Sequence, residues 1–284
     1  MTQIDQFESV FRAAYKEQFQ LRDIDIRKVL VVSDLEGDAI ATFTKDARSF
    51  LSVLEERDQP EFIPCPGASY DRTTALLERV AQMQPDLICT YRNLKSEAWQ
   101  FPHSLGEYLD VLAQKTEVPV LVLPHPRGED GRIPGDTNEV MAMTDNLAGE
   151  HRLVNYAAHF TAQNGSLFLA HIEDESYFER FLGVISKIPE IPTDVARERI
   201  LQQLLKEPRD YIASCTKVLG DAKEHIKVEP MVSIGHRLNH YREAVAAHDV
   251  DLVVMNTKDD DHYAMHGMAY PLAVELRGTP LLML

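Results

Sequence analysis

No apolar run in the sequence reaches the length that crosses a bilayer, so membrane insertion is not expected. Its first residues, with Asp5 and Glu8 among them, lack the basic and apolar regions of a secretory signal, and a cytoplasmic location is the expectation. Cysteine is scarce. Cys65, Cys89 and Cys215 stand far apart with no Cys-x-x-Cys spacing, which argues against a zinc knuckle and against a disulfide framework. Basic charge is also short: 29 Lys and Arg face 45 Asp and Glu, a net −16, and that field repels phosphate backbones, so nucleic acid is not an expected partner. There is no Gly-x-Ser-x-Gly elbow, no Walker loop and no His-Glu-x-x-His, and on those grounds no enzyme activity is expected.

What is present is a repeat. Each half carries a strand-like run ending in Asp (29–34 and 140–145) and a later Asp-Leu-apolar run (86–90 and 251–255). Each then has a Gly opening a helix (Gly106 and Gly267) and a Pro-led closing run (119–123 and 280–284). The Gly and the Pro are thirteen positions apart in both copies. A period this long is no solenoid, so each copy is a whole α/β unit. With 44% hydrophobic residues over 284 positions the chain can fill two cores. The expected division is 1–126, a polar linker 127–138 rich in Pro and Gly, and 139–284.

Runs 28–34, 86–90 and 251–255 are short and apolar, the pattern of strands covered on both faces; 61–64, 119–123, 140–145, 165–171, 228–234 and 280–284 are the further strands. Between them, 39–54, 71–81, 106–115, 150–163 and 237–248 place apolar residues at helical spacing. Alternating β and α elements predict parallel sheets with right-handed crossovers, an α/β fold of two tandem doubly wound domains. Asp34 to Asp86 spans 52 positions but Asp145 to Asp251 spans 106. A charged helical insertion over 173–223, broken at Pro189, Pro192 and Pro208, accounts for the excess; it covers the sheet, caps a site or makes an interface. Ahead of the first strand, Ile4, Phe7, Val10, Phe11, Ala14 and Tyr15 form one face of a predicted helix, which docks on its own domain or makes a subunit contact.

The second half resembles the universal stress protein family along nearly its whole length. Met143-Thr144-Asp145 is similar to that family's first strand, residues 232–235 and the following helix to its strand, glycine and helix, and Asp249-Val-Asp-Leu-Val-Val-Met255 to its Asp-x-Asp-Leu-Ile-Val-Met signature. Residues 267–284 are similar to its last helix and strand. The first half resembles it through 31–34, 86–88 and 119–124, so the chain looks like a tandem universal stress protein. The resemblance implies domains of about five strands, related to the adenine nucleotide alpha hydrolases. It also implies an ATP crevice where strand order reverses, and two halves paired as a pseudo-dimer through their closing strands. Further pairing into a homodimer, and an unidentified protein partner, are compatible with it.

By position, Asp34, Thr90, Tyr91, Arg92 and Gly106 edge the crevice in the first half, and Asp145, Met255, Asn256 and Gly267 in the second. The family's nucleotide-binding members carry two closely spaced glycines after the fourth strand and, later, a glycine followed by Ser or Thr. Loops 91–100 and 256–266 contain no glycine, and Glu107 and Met268 follow Gly106 and Gly267. Without those glycines the backbone does not readily wrap a triphosphate, and Glu107 would occupy the helix dipole in its place. Arg92, Lys95 and His103 are either a small-anion site or surface charges, and Trp99 and Phe101 are expected to plug the crevice or contact the other half. Asp261, His262 and His266 are either a divalent-metal set or part of a solvated acidic loop with Asp259 and Asp260. The expectation is a non-enzymatic stress-response module that acts through protein contacts and binds no cofactor. The alternative is a sensor of ATP, AMP or another small anion in one crevice.

Overall fold

The computed structural model describes residues 18–101, 104–128, 133–144, 147–222, 225–257 and 268–284, with only the backbone of Trp99. The predicted helix over 4–15 therefore lies outside the described residues. The first block runs β1 (Lys28–Val32), α1 (Gly37–Phe50), α2 (Ser52–Arg57), β2 (Glu61–Cys65), α3 (Thr73–Met83), β3 (Leu87–Tyr91), α4 (Glu107–Lys115) and β4 (Val120–Leu123). The second opens with β5 (Glu139–Thr144), α5 (His151–Phe160), β6 (Ser166–Asp174), α6 (Glu175–Ile185) and α7 (Thr193–Asp221). It continues with β7 (Lys227–Gly235), α8 (Arg237–Ala247), β8 (Leu252–Met255), α9 (Ala269–Glu275) and β9 (Leu281–Met283).

All these strands form one sheet in the order β2-β1-β3-β4-β9-β8-β5-β6-β7. Pairing within each block is parallel, as continuous apolar runs demand: β1 past its first residue, and all of β3, β4, β8 and β9, are buried. Among the described residues the first block has four strands, one short of the family's five, and the second has five. The closing strands meet as expected. β4 and β9 pair antiparallel, Leu121 opposite Leu282, so the two blocks run in opposite directions on either side of that pair. Strand order reverses at β1/β3 and at β5/β8, the two points where a doubly wound sheet opens a crevice beyond its carboxyl ends. Both outer edges carry a proline, Pro64 in β2 and Pro230 in β7, which removes a donor from each exposed ladder.

The repeated Asp-Leu dipeptide has a structural job in both halves. Asp86 Oδ2 accepts the N–H groups of Arg27 and Lys28 at 2.9 Å, and Asp251 Oδ2 accepts that of Glu139 at 2.9 Å. Each aspartate thus satisfies the amides that enter the first strand of its own half, groups with no ladder partner. Burial raises the Asp251 carboxyl's pKa, and the backbone hydrogen bonds pull against that rise.

Two expectations need correction. Pro208 does not break the insertion: α7 runs through it for 29 residues, with the Pro208 ring buried among Leu205, Tyr211 and Ile212, and packing holds a helix that loses one internal hydrogen bond. The helix expected over 39–54 divides at Leu51 into α1 and α2. The stretch 18–27 ahead of β1 forms neither helix nor strand, and its residues 19–22 lie on the second block. Phe19 N–H donates to Ser214 Oγ (2.9 Å) and its ring packs on His151 and Tyr211; Arg22 N–H donates to Asn155 Oδ1 (2.9 Å), and Asn155 Nδ2 donates to Gln20 O (2.9 Å). Asp58 at the end of α2 ties the blocks again, 2.7 Å from His159 Nε2 on α5.

Candidate functional site

At the β1/β3 switch point three segments converge: the turn after β1, the 3-10 turn Gly67–Ser69 after β2, and the loop after β3. Asp34 sits in the middle, and both carboxylate oxygens are engaged. Tyr91 Oη donates to Oδ1 at 2.5 Å and accepts the Asp34 N–H at 3.1 Å, while Oδ2 accepts the Lys95 N–H at 2.8 Å. Tyr70 Oη donates to Ser33 O at 2.9 Å. The Lys95 ammonium donates to Gly67 O (2.7 Å) and to Tyr70 O, and lies 4.5 Å from the centre of the Tyr70 ring. Burial, aided by nearby Asp34, raises the pKa of both phenols, so Tyr70 and Tyr91 stay protonated donors at neutral pH. The three segments are stitched together by their own side chains where a ligand would enter.

Backbone conformation adds a detail that sequence alone hid. Asn93 (φ +58°) and Lys95 (φ +57°) both adopt the left-handed region in the loop that lacks glycine. Each costs about 1 kcal/mol or more for a residue with a Cβ, and the hydrogen bonds of Lys95 to Asp34, Gly67 and Tyr70 hold the strained turn. Gly106, the residue before α4, has φ +91°, and a Cβ there would lie 2.7 Å from Asn93 Cα, so this position demands glycine. Glu107 and Asp110 occupy the first turn of α4, where a bound anion would need the helix dipole.

The other first-half candidates lie deeper in the fold. Thr90 is fully buried on β3, opposite Val122 of β4, and its hydroxyl has no hydrogen-bond partner among the described residues. Arg92 corrects the expectation of a surface charge. It is 5% exposed, and its guanidinium crosses to the second block, donating to Ala273 O (2.6 Å), Leu276 O (2.9 Å) and Arg277 O (3.1 Å). These are carbonyls at the end of α9, which have no partner within the helix and carry its negative pole. Phe101 is 62% exposed and plugs nothing. The side chain of Trp99, and His103, lie outside the described residues.

In the second half Asp145, Gly267, Asp261, His262 and His266 lie outside the described residues. Met255 is buried between Met143 and Met283, and Asn256 Nδ2 donates to Glu150 Oε2 at 2.7 Å. Burial raises the Glu150 pKa, with Asn256 and His151 opposing. Tyr241 Oη donates to Thr144 O (3.0 Å), so a buried tyrosine closes the carboxyl end of the first strand here too, as Tyr70 does at Ser33. The two tyrosines come from different elements, which is why no repeat in the sequence announces them. Among the described residues no three His, Cys, Asp or Glu side chains cluster to hold a metal, and no helix is long and apolar enough to cross a membrane.

His125, after β4, packs edge-on against Tyr91 with ring centres 4.9 Å apart. Burial lowers its pKa from 6.5 to about 4, with Asp34 opposing and Arg127 reinforcing. The ring is neutral in the fold, while the unfolded chain takes up that proton below about pH 6.5. Its contribution is thus complete above that pH and is lost as pH falls toward 4. Thermal melts at stepped pH are expected to show a smaller drop between pH 6.5 and 4 for His125→Phe than for the native chain; equal drops would refute the assignment. Beside this ring, a cleft of about 750 Å³ lies between α1 and the segment after β4, lined by Leu35, Phe43, Asp46, His125, Arg127 and Ile133. Its Asp46 and Arg127 have opposite charge, so the lining selects neither anion nor cation.

No family model and no curated protein matches the sequence. Among solved structures, the chain is similar to PA1789 of Pseudomonas aeruginosa PAO1, described as functionally unknown. The likeness has 15% identity and TM-score 0.48, and covers 91% of this chain and 92% of that one. It is also similar to a universal stress protein of Archaeoglobus fulgidus DSM 4304, at 12% identity and TM-score 0.45, covering 91% and 85%. Likenesses of this size decide nothing about chemistry, which rests on the side chains described above.

Proposed function

We propose that the chain is a non-enzymatic stress-response or regulatory module of the universal stress protein kind, acting through protein contacts, and that its first crevice does not take ATP. The observation that supports this reading is the state of Asp34. Its oxygens are held by Tyr91 and the Lys95 amide, while the Lys95 ammonium is turned onto two backbone carbonyls rather than toward a phosphate. Admitting a triphosphate would mean breaking these bonds and placing its charge beside Asp34 and Glu107. The missing glycines in the loop and the carboxylates in the first turn of α4 argue the same way.

Calorimetric titration of the full chain with ATP and with AMP, each with and without magnesium, tests the reading. No saturable heat is expected up to about millimolar nucleotide, where a Kd in the micromolar range would correspond to roughly −8 kcal/mol. Saturable micromolar binding would sink the claim. Loss of that binding in Asp34→Asn would then place the nucleotide in the first crevice, and its survival would place it in the second, making the chain a nucleotide sensor.

A further inference from the structure

Helix α6 is apolar on two faces. Phe178, Leu182 and Ile185 are buried against Ala196, Ile200 and Leu201 of α7 and Ile234 of β7. Tyr177 (71% exposed), Phe181 (55%) and Val184 (58%) form a second stripe turned to solvent, and Ile188 (40%) prolongs it into the next turn. The steps between these four are four, three and four residues, the spacing of a seam that packs against another helix. Ile191 and Val195, at the start of the hairpin's return, are exposed as well.

We propose that this outer face of α6 is where a second copy of the chain docks, helix against helix. The area fits such a contact: the six side chains leave roughly 500 Å² of apolar surface in water, the apolar share of an interface of about 800 Å² per partner. Among the described residues, strand pairing offers a poorer route to self-association. β4 and β9 are spent on each other, and the two free sheet edges carry Pro64 and Pro230. Exposed charges near the hairpin have both signs, Arg180 and Lys187 on the α6 side and Glu190, Asp194 and Glu198 at the turn and the start of α7. A two-fold contact can use such a rim because each residue meets its complement on the other copy. An anionic lipid surface fits less well, since the acidic residues of the rim would find no complement on it.

Sedimentation equilibrium of the full chain from about 1 to 100 μM tests this. The native chain is expected at twice the monomer mass. Phe181→Glu and, separately, Tyr177→Ser are each expected to raise the dimer dissociation constant by about tenfold or more, with circular dichroism unchanged because both side chains are exposed in the single chain. A native monomer throughout, or a dimer indifferent to both substitutions, overturns the proposal. So does a chain that dimerises only after residues 1–17 are removed, which would mean that the stripe is covered from within. Binding to phosphatidylglycerol vesicles that Phe181→Glu abolishes, without any dimer, would assign the face to a membrane instead.

Discussion

Deleting residues 280–284 is expected to leave no soluble, cooperatively folding protein. β9 is paired on both sides, parallel to β8 and antiparallel to β4, and among the described residues its pairing with β4 is where strands of the two blocks meet. Leu281, Leu282, Met283 and Leu284 are each 6% exposed or less. Burying four such side chains contributes about 6–12 kcal/mol, the same size as the whole stability of a typical fold. The deletion also strips the ladder partners from β4 and β8, leaving two fully apolar edges open to pairing with other chains. Soluble yield, far-UV circular dichroism and a thermal melt read the result. A truncated chain with native solubility and a sharp transition would show that β9 does not hold the blocks together.

Arg92→Met is expected to lower stability by about 3 kcal/mol, and the melting midpoint by roughly 6–12 °C. The substitution keeps much of the buried volume but leaves the Ala273, Leu276 and Arg277 carbonyls without a cationic donor. Arg92→Lys should recover only part of the loss, because one ammonium cannot reproduce a planar fork that reaches three oxygens. Chemical denaturation of the three proteins measures the differences. A midpoint for Arg92→Met within about 2 °C of the native chain would mean that water satisfies α9 equally well.

These two effects differ in how far the sequence announced them. Residues 280–284 read plainly as a closing strand, because four apolar residues after a proline, itself thirteen positions from Gly267, match the run at 119–123. The double-sided apolar pattern located β1, β3 and β8, since a strand covered on both faces has few other compositions open to it. Arg92 carried no such mark. A lone arginine in a polar loop has the same local pattern whether it faces water or a helix end 181 positions later, and only the tertiary fold brings Ala273 to it. Pro208 misled for a related reason: its cost is local, while the burial that offsets it is not. At the candidate site, Asp34 and Gly106 were legible as a strand end and a helix entry. The closure by Tyr70 and Lys95 was not, since it depends on left-handed turns at residues that are not glycine.

The stretch from Phe19 to Arg22 bears on how the chain comes off the ribosome. Its partners, Asn155 and Ser214, lie 133 and 195 positions further along, so these early residues wait for most of the chain to be made. β4 likewise stays half-paired until β9 appears. Contacts of such long range slow folding and prolong the life of exposed apolar edges. The first block can gather its parallel strands early, but it leaves synthesis with an unfinished border, and nascent chains stalled before residue 280 should be the species that chaperones hold.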